Sequence, residues 1–205
     1  MEKVILSSNN KDKIKEIKEI LQDVNVKIFS KKDLGLDKIR VVENGKTLEV
    51  NALKKARAIS SLIEGHIVIA DDTGLFVDAL DGEPGIYSGR YSGENATYEE
   101  NNEKLLEELN GIKGINRSAY FMTVAVIIDK EGNEHILNGV CKGRISEEYK
   151  GKGGFGYDPL FIPEGLDKSF REMGRDEKNK ISHRKKALEK VKFKLEEILN
   201  ENSCN

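Results

Sequence analysis

Two adjacent aspartates, Asp71 and Asp72, follow the apolar run Ile67-Val68-Ile69-Ala70. Ligands of open α/β sheets gather at the carboxyl ends of strands, and the run predicts a strand ending at these aspartates. Paired carboxylates there are costly unless a cation or a set of donors compensates them. Hard oxygen ligands of this kind suit Mg²⁺, which takes one or two carboxylates and completes its shell with water and substrate phosphates. Glu43, in Val42-Glu43-Asn44-Gly45, is a further loop carboxylate able to complete the site. The plainer reading of Asp71-Asp72 is a turn in which aspartate caps the next segment.

A second group has the chemistry of anion binding. Ser8-Asn9-Asn10-Lys11-Asp12-Lys13 stands between a short apolar run, Val4 to Leu6, and a helical pattern. A helix start offers backbone N–H groups and the positive end of a dipole. Ser8 and Asn10 add short polar groups, and Lys13 adds charge one turn in. An ordinary N-cap followed by solvated lysines is the alternative. No Gly-x-x-x-x-Gly-Lys-Ser/Thr is present, which argues against a P-loop kinase or GTPase.

A third group lies late in the chain. In Gly153-Gly154-Phe155-Gly156-Tyr157-Asp158-Pro159 the glycines let backbone approach a ligand, and Phe155 offers a face on which a flat base can stack. The alternative is a packed turn with Phe155 in the core. Asp158 precedes proline and is expected to be extended. Lys178 is followed by Ser182-His183-Arg184-Lys185-Lys186. Ser182 is a natural N-cap, which puts His183 and Arg184 in a first helical turn. Cations there oppose the dipole, so an anion or polar ligand is expected to compensate, unless the segment is a solvated basic face.

These residues need a frame. Val4–Leu6 reads as a buried strand; Ile14, Ile17 and Leu21 mark an amphipathic helix; Val24, Val26 and Ile28 alternate as a strand does. Ala52 to Ile63 reads as a helix with Gly65 as its C-cap. Leu105, Leu106 and Leu109 mark a helix ending near Gly111. Ala119 to Ile128 is apolar on nearly every position and belongs in the middle of a sheet. Asp129 to Asn133 is a hairpin turn, Glu134 to Ile145 the returning strand, and Leu188 to Leu199 a last amphipathic helix. Strands and helices interleave without repeat, so the fold class is α/β, a mixed sheet flanked by helices in one domain over residues 1–205.

Composition limits the partners. The 205 residues carry 34 Lys plus Arg against 36 Asp plus Glu, a net charge of −2, which argues against a surface built for nucleic acid or anionic membrane. No apolar run approaches a membrane span, and the first residues lack the apolar region of a signal peptide. Cys141 and Cys204 stand far apart and are read as reduced thiols of a cytosolic protein.

In combination the segments resemble the inosine triphosphatase family, pyrophosphatases of non-standard purine nucleoside triphosphates. The pieces are Ser8 to Lys13, Ala70-Asp71-Asp72-Thr73-Gly74-Leu75, Gly85-Ile86-Tyr87-Ser88-Gly89-Arg90-Tyr91-Ser92-Gly93, Gly154 to Pro159 and Ser182-His183-Arg184, in the family's order. The resemblance implies two lobes around a cleft, a cytoplasmic homodimer, and Mg²⁺-dependent conversion of ITP, dITP or XTP to the monophosphate plus pyrophosphate. It implies that Ser8, Asn9, Asn10, Lys11, Asp12, Lys13, Lys55 and Lys178 hold the triphosphate. Asp72 would be the proton acceptor and a metal ligand. Thr73, Phe155, Gly156, Tyr157, Asp158, His183 and Arg184 would form the nucleotide pocket. The family often has a glutamate where Val50 stands here, with Glu49 one place earlier, so the second metal carboxylate is Glu43 or Glu49, Glu43 being favoured. Two rivals are a pyrophosphatase for other modified nucleotides and a nucleotide-binding module without turnover.

Overall fold

The computed structural model describes residues 1–151 and 155–201. Gly153, Gly154 and Cys204 lie outside the described residues. Among the described residues one mixed sheet of seven strands organises the chain, in the order β2 (Val26–Ser30), β1 (Glu2–Leu6), β3 (Ile67–Val77), β5 (Ser118–Ile128), β6 (Glu134–Ile145) and β7 (Phe161–Pro163), with the short β4 (Pro84–Gly85) on β3. By internal contact the chain divides into two compact units, and the divisions fall within β3, β5, β6 and the first turn of the last helix, between His183 and Arg184.

The first unit comprises Met1–Asp72, Thr123–Gly139 and Arg184–Asn205. Its β1 (Glu2–Leu6) pairs in parallel with both β2 (Val26–Ser30) and β3 (Ile67–Val77). Each face of these strands is covered. On one, Val4, Leu6, Ile67 and Ile69 pack with Ile17 of α1 (Lys11–Ile20) and with Leu188, Val191 and Leu195 of α5 (His183–Glu201). On the other, Ile5 and Val68 pack with Ile59 of α2 (Leu48–Ser60). This two-sided burial is why Val4–Leu6 and Ile67–Ala70 are continuous apolar runs rather than alternating ones.

Two expectations need correction here. Helix α2 starts four residues before Ala52, because Thr47 accepts a hydrogen bond from the Val50 N–H at 3.2 Å and Leu48 is buried. It ends at Ser60 with Ser61 as C-cap, and Gly65 occupies the later turn with φ 69°. Strand β3 does not stop at the aspartates; it carries Asp71 and Asp72 in its interior and runs on to Val77. Charged side chains at mid-strand are tolerated because each meets a cation, as described below.

The second unit comprises Thr73–Met122 and Val140–His183. It holds β4 (Pro84–Gly85), α3 (Tyr98–Glu108), parts of β5 (Ser118–Ile128) and β6 (Glu134–Ile145), β7 (Phe161–Pro163) and α4 (Phe170–Ile181). Its core gathers Leu75, Val77, Leu105, Leu109, Phe121, Ile145, Tyr157, Phe161 and Phe170. Arg117 is buried in it and donates to four main-chain carbonyls, those of Leu109, Ile112, Ile145 and Ser146, at 2.8 to 3.0 Å. Helix α4 has no sustained apolar periodicity to announce it. Its signal is the capping box Ser169-x-x-Glu172, with both reciprocal bonds present. Asp158 and Pro159 lie in successive turns rather than an extended run, since the Leu160 N–H donates to the Tyr157 carbonyl at 3.0 Å. Among the described residues no helix is long and apolar enough to cross a membrane.

Candidate active site

Helix α1 begins under a cap supplied by Asn10, whose Oδ1 accepts from the N–H groups of Asp12 and Lys13 at 3.0 and 3.1 Å. Ser8 Oγ accepts from the Asn10 N–H at 3.2 Å. Asn9 Nδ2 donates to the Asp37 carbonyl, while Lys11 and Asp12 are exposed. Lys13 differs from the other lysines of this turn: its Nζ lies 3.0 Å from Asp71 Oδ2, with the side chain 15% exposed. Burial depresses its ammonium below the usual lysine range, against the pull of Asp71, with Lys55 and Arg184 adding to the depression.

Successive strand residues face opposite sides of a sheet. Asp71 shares the side of Ile67 and Ile69, covered by α1 and α5; Asp72 shares the side of Val68, covered by α2. Their partners differ accordingly. Asp71 meets Lys13 of α1 and, at 3.7 Å, Nε of Arg184 in the first turn of α5. Burial works to raise its pKa, but the charges of Lys13, Arg184 and Lys55 hold its carboxyl well below the usual carboxylate range. Arg184 also donates from Nη1 to the carboxylate of Glu16 on α1. The compensation expected for a cation at the start of α5 therefore comes, at Arg184, from the protein's own carboxylates.

On the α2 side, Lys55 Nζ donates to Asp72 Oδ1 at 2.9 Å and to Glu43 Oε2 at 3.1 Å. Burial disfavours its charge, yet Asp72, Glu43 and Asp71 outweigh it and raise the Lys55 pKa. The same helix holds the whole loop that carries Glu43. Lys54 Nζ donates to Asn44 Oδ1 at 2.5 Å, and Asn51 Oδ1 accepts from the Gly45 N–H at 2.8 Å. Glu49 is exposed in the first turn of α2. Glu43 and Asp72 thus present two hard carboxylates to one small volume, and that volume already suits a cation, since an ammonium sits against both. This donor set fits Mg²⁺ with substrate oxygens completing the shell. Among the described residues no cluster of three or more acidic, His or Cys side chains is placed to hold a metal.

The second unit gathers the remaining predicted residues around aromatic rings. His183 stacks on Phe121, centroids 4.5 Å apart and planes 18° apart. Lys178 Nζ donates to Asp158 Oδ2 at 2.7 Å and stands 5.4 Å from the Phe155 ring centre and 5.6 Å from that of Phe170. Phe155 is half-buried, with Tyr98 edge-on at 5.4 Å. Gly156, at φ 57°, gives its carbonyl to Asn102 Nδ2 at 3.0 Å. Tyr157 is buried and donates to the Ser88 carbonyl at 3.0 Å, and burial pushes its hydroxyl pKa far up. Thr73 is half-buried at the start of this unit's share of β3.

Lys13, Lys55, Glu43, Asp72 and Arg184 therefore belong to the first unit; Thr73, Phe155 to Asp158, Lys178 and His183 to the second. Lys178, which the resemblance assigns to the triphosphate, pairs with Asp158 among the aromatic residues of its own unit. Sequence reasoning did not find Glu16, Asn51, Phe121 or Phe170. Glu16 had one available signal, a carboxylate three residues after Lys13 and so on the same helical face.

A model of the Ham1 family matches residues 4–194. The dITP/XTP pyrophosphatase of Clostridium perfringens is 50% identical over 204 residues, covering 97% of this chain and 100% of that protein. The dITP/XTP pyrophosphatase of Caldanaerobacter subterraneus subsp. tengcongensis is 47% identical over 202 residues, covering 98% and 100%. Among solved structures, the Ham1 protein of Staphylococcus aureus has a TM-score of 0.84 at 37% identity, covering 95% of this chain and 98% of that one. The dITP/XTP pyrophosphatase from Mycobacterium abscessus has a TM-score of 0.75 at 36% identity, covering 92% and 98%.

Proposed function

Because the chain belongs to the Ham1 family, we propose that it hydrolyses non-standard purine nucleoside triphosphates, dITP, XTP and ITP, to the monophosphate and pyrophosphate. The observation that carries the chemistry is the meeting of Glu43 and Asp72 at the Lys55 ammonium. We assign Glu43 and Asp72 as the ligands of Mg²⁺. A divalent cation there would neutralise phosphate charge and make water more acidic than its bulk pKa of about 15.7.

The rest is performed by side chains. Asp72 orients the attacking water in line with the leaving pyrophosphate and accepts its proton. Lys13 and Lys55 hold the triphosphate and stabilise charge on the departing oxygens. Ser8, Asn9, Asn10, Lys11 and Asp12 shape the loop that brings Lys13 to the phosphates. Lys178 is assigned with Lys13 and Lys55 to the triphosphate, and Phe155 and Tyr157 frame the base, with Thr73, Gly156, Asp158, His183 and Arg184 supplying polar contacts. Donors facing the 6-oxo group of hypoxanthine or xanthine would be left unpaired by adenine, which rejects it strongly. A further donor facing the C2 oxo group of xanthine would repel the amine of guanine.

The test is to incubate the pure protein with dITP, XTP, ITP, ATP and GTP, each with and without Mg²⁺. Monophosphate plus pyrophosphate from the first three, and only with the metal, is the expected result. Diphosphate plus orthophosphate, or equal rates with ATP and GTP, overturns the proposal. Tight ITP binding without product makes the protein a binding module. A homodimer in the cytoplasm completes the proposal; sedimentation at micromolar protein reads the first.

A further inference from the structure

Asp71 has no part in the mechanism above, yet it is among the most buried charged residues of the chain, 3% exposed. It is adjacent to Asp72 and invites the reading of a third metal ligand. The strand parity argues otherwise. Asp71 faces α1 and α5 with Ile67 and Ile69, whereas Glu43 and Asp72 meet Lys55 on the α2 side. Besides Arg184 at 3.7 Å, Asp71 meets Lys13 at the shorter distance of 3.0 Å, an amine on a long flexible stem whose charge burial disfavours.

We propose that Asp71 is a positioning residue: its buried carboxylate holds the Lys13 ammonium aimed where it grips the triphosphate. The inference rests on the function proposed above. An ammonium has three donors, so Asp71 takes one and leaves the others for phosphate oxygens. A free lysine would lose rotamer freedom on binding; Lys13 has already lost it, and the polyanion meets a fixed charge.

Inorganic tripolyphosphate is the probe, because it has no base and needs no turnover. Calorimetry without added metal is expected to show Asp71→Asn binding it at least about tenfold more weakly than the wild type, the loss of one charge-assisted contact. Lys13→Met should lose a similar factor. The double variant should bind no more weakly than Lys13→Met, within about twofold, because Asp71 acts through Lys13. Full-strength binding by Asp71→Asn, or a repeat of its loss in the Lys13→Met background, overturns the proposal. Should Asp71→Asn not fold, the comparison of the double variant with Lys13→Met decides alone, since neither leaves the carboxylate replaced beside an unpaired ammonium. In turnover, Asp71→Asn should raise KM with kcat and the half-saturating Mg²⁺ concentration little changed. A raised Mg²⁺ requirement would instead make Asp71 a metal ligand. If the wild type releases no pyrophosphate, the function proposed above fails while the tripolyphosphate arms still decide the role of Asp71.

Discussion

At Asp72 the backbone is β-strand on both sides and the side chain is 9% exposed, so its replacement by asparagine changes chemistry more than fold. Asparagine keeps one oxygen for Lys55 and cannot take a proton from water. Asp72→Asn is expected to slow pyrophosphate release at least ~100-fold, the usual scale for a general base, while the protein still folds. Near-normal turnover would remove Asp72 from the proton transfer. Lys55 behaves in the opposite way. Its ammonium separates two carboxylates, and its side chain is 12% exposed. Lys55→Met leaves them facing one another and should cost about 3 kcal/mol in urea denaturation, typical of a broken buried pair. Millimolar Mg²⁺ should restore part of that loss, because a cation bound to the folded state alone stabilises it. A loss indifferent to Mg²⁺ would mean that the carboxylates do not share a cation site.

Elements set these residues in place, and they were legible to different degrees. The nine apolar residues among Ala119 to Ile128 and the hairpin turn at Asp129 locate β5 and β6 closely, since a continuous apolar run is a direct image of two-sided burial. Strand β3 runs past its apolar signal because aspartate is a poor strand former; its continuation depends on lysines from α1 and α2, which are distant in sequence. Helix α4 was hidden by Gly174, whose φ of 74° interrupts the helical period. The loop before α2 depends on close approach. A Cβ on Gly45 would sit 2.6 Å from Asn51 Oδ1, so Gly45→Ala should displace Glu43 and lower turnover about tenfold while the protein stays folded. Undiminished turnover would separate this loop from the chemistry. In the β5–β6 turn, Asp129 accepts from the N–H groups of Glu131 and Asn133, from the Asn133 side chain and from His135. Burial raises its pKa, but these bonds prevail and hold it below the usual aspartate value. A depressed carboxyl stabilises above its unfolded pKa and loses that contribution as pH falls through the folded one. Asp129→Asn should thus cost about 1 kcal/mol at pH 7, and the difference should vanish well below pH 3.8. A gap that persists in acid would exclude the ionised form as its source.

Over the whole molecule the net charge of −2 leaves no general attraction for a polyanion. Lys13, Lys55 and Arg184 are instead withdrawn from solvent against Asp71, Asp72, Glu43 and Glu16. Buried charges are screened far less than exposed ones. Raising KCl from about 50 to about 300 mM at fixed free Mg²⁺ should therefore change KM by less than about fivefold. A steeper response would shift substrate binding to exposed lysines such as Lys11. Most of the proposed site was legible because its residue types are uncommon in such positions: paired acids after a buried run, glycines around a phenylalanine, cations at a helix start. What remained illegible was pairing, since nothing local says that Lys178 meets Asp158 or that Arg184 meets Glu16. The same long-range pairing bears on where the chain tolerates insertion. Surface connections usually accept an extra residue. The stretch 43–45 has no regular structure, yet α2 engages it residue by residue, Lys55 at Glu43, Lys54 at Asn44, Asn51 at Gly45. One residue added or removed there would shift all three partners at once, so this irregular segment is bound to a single length.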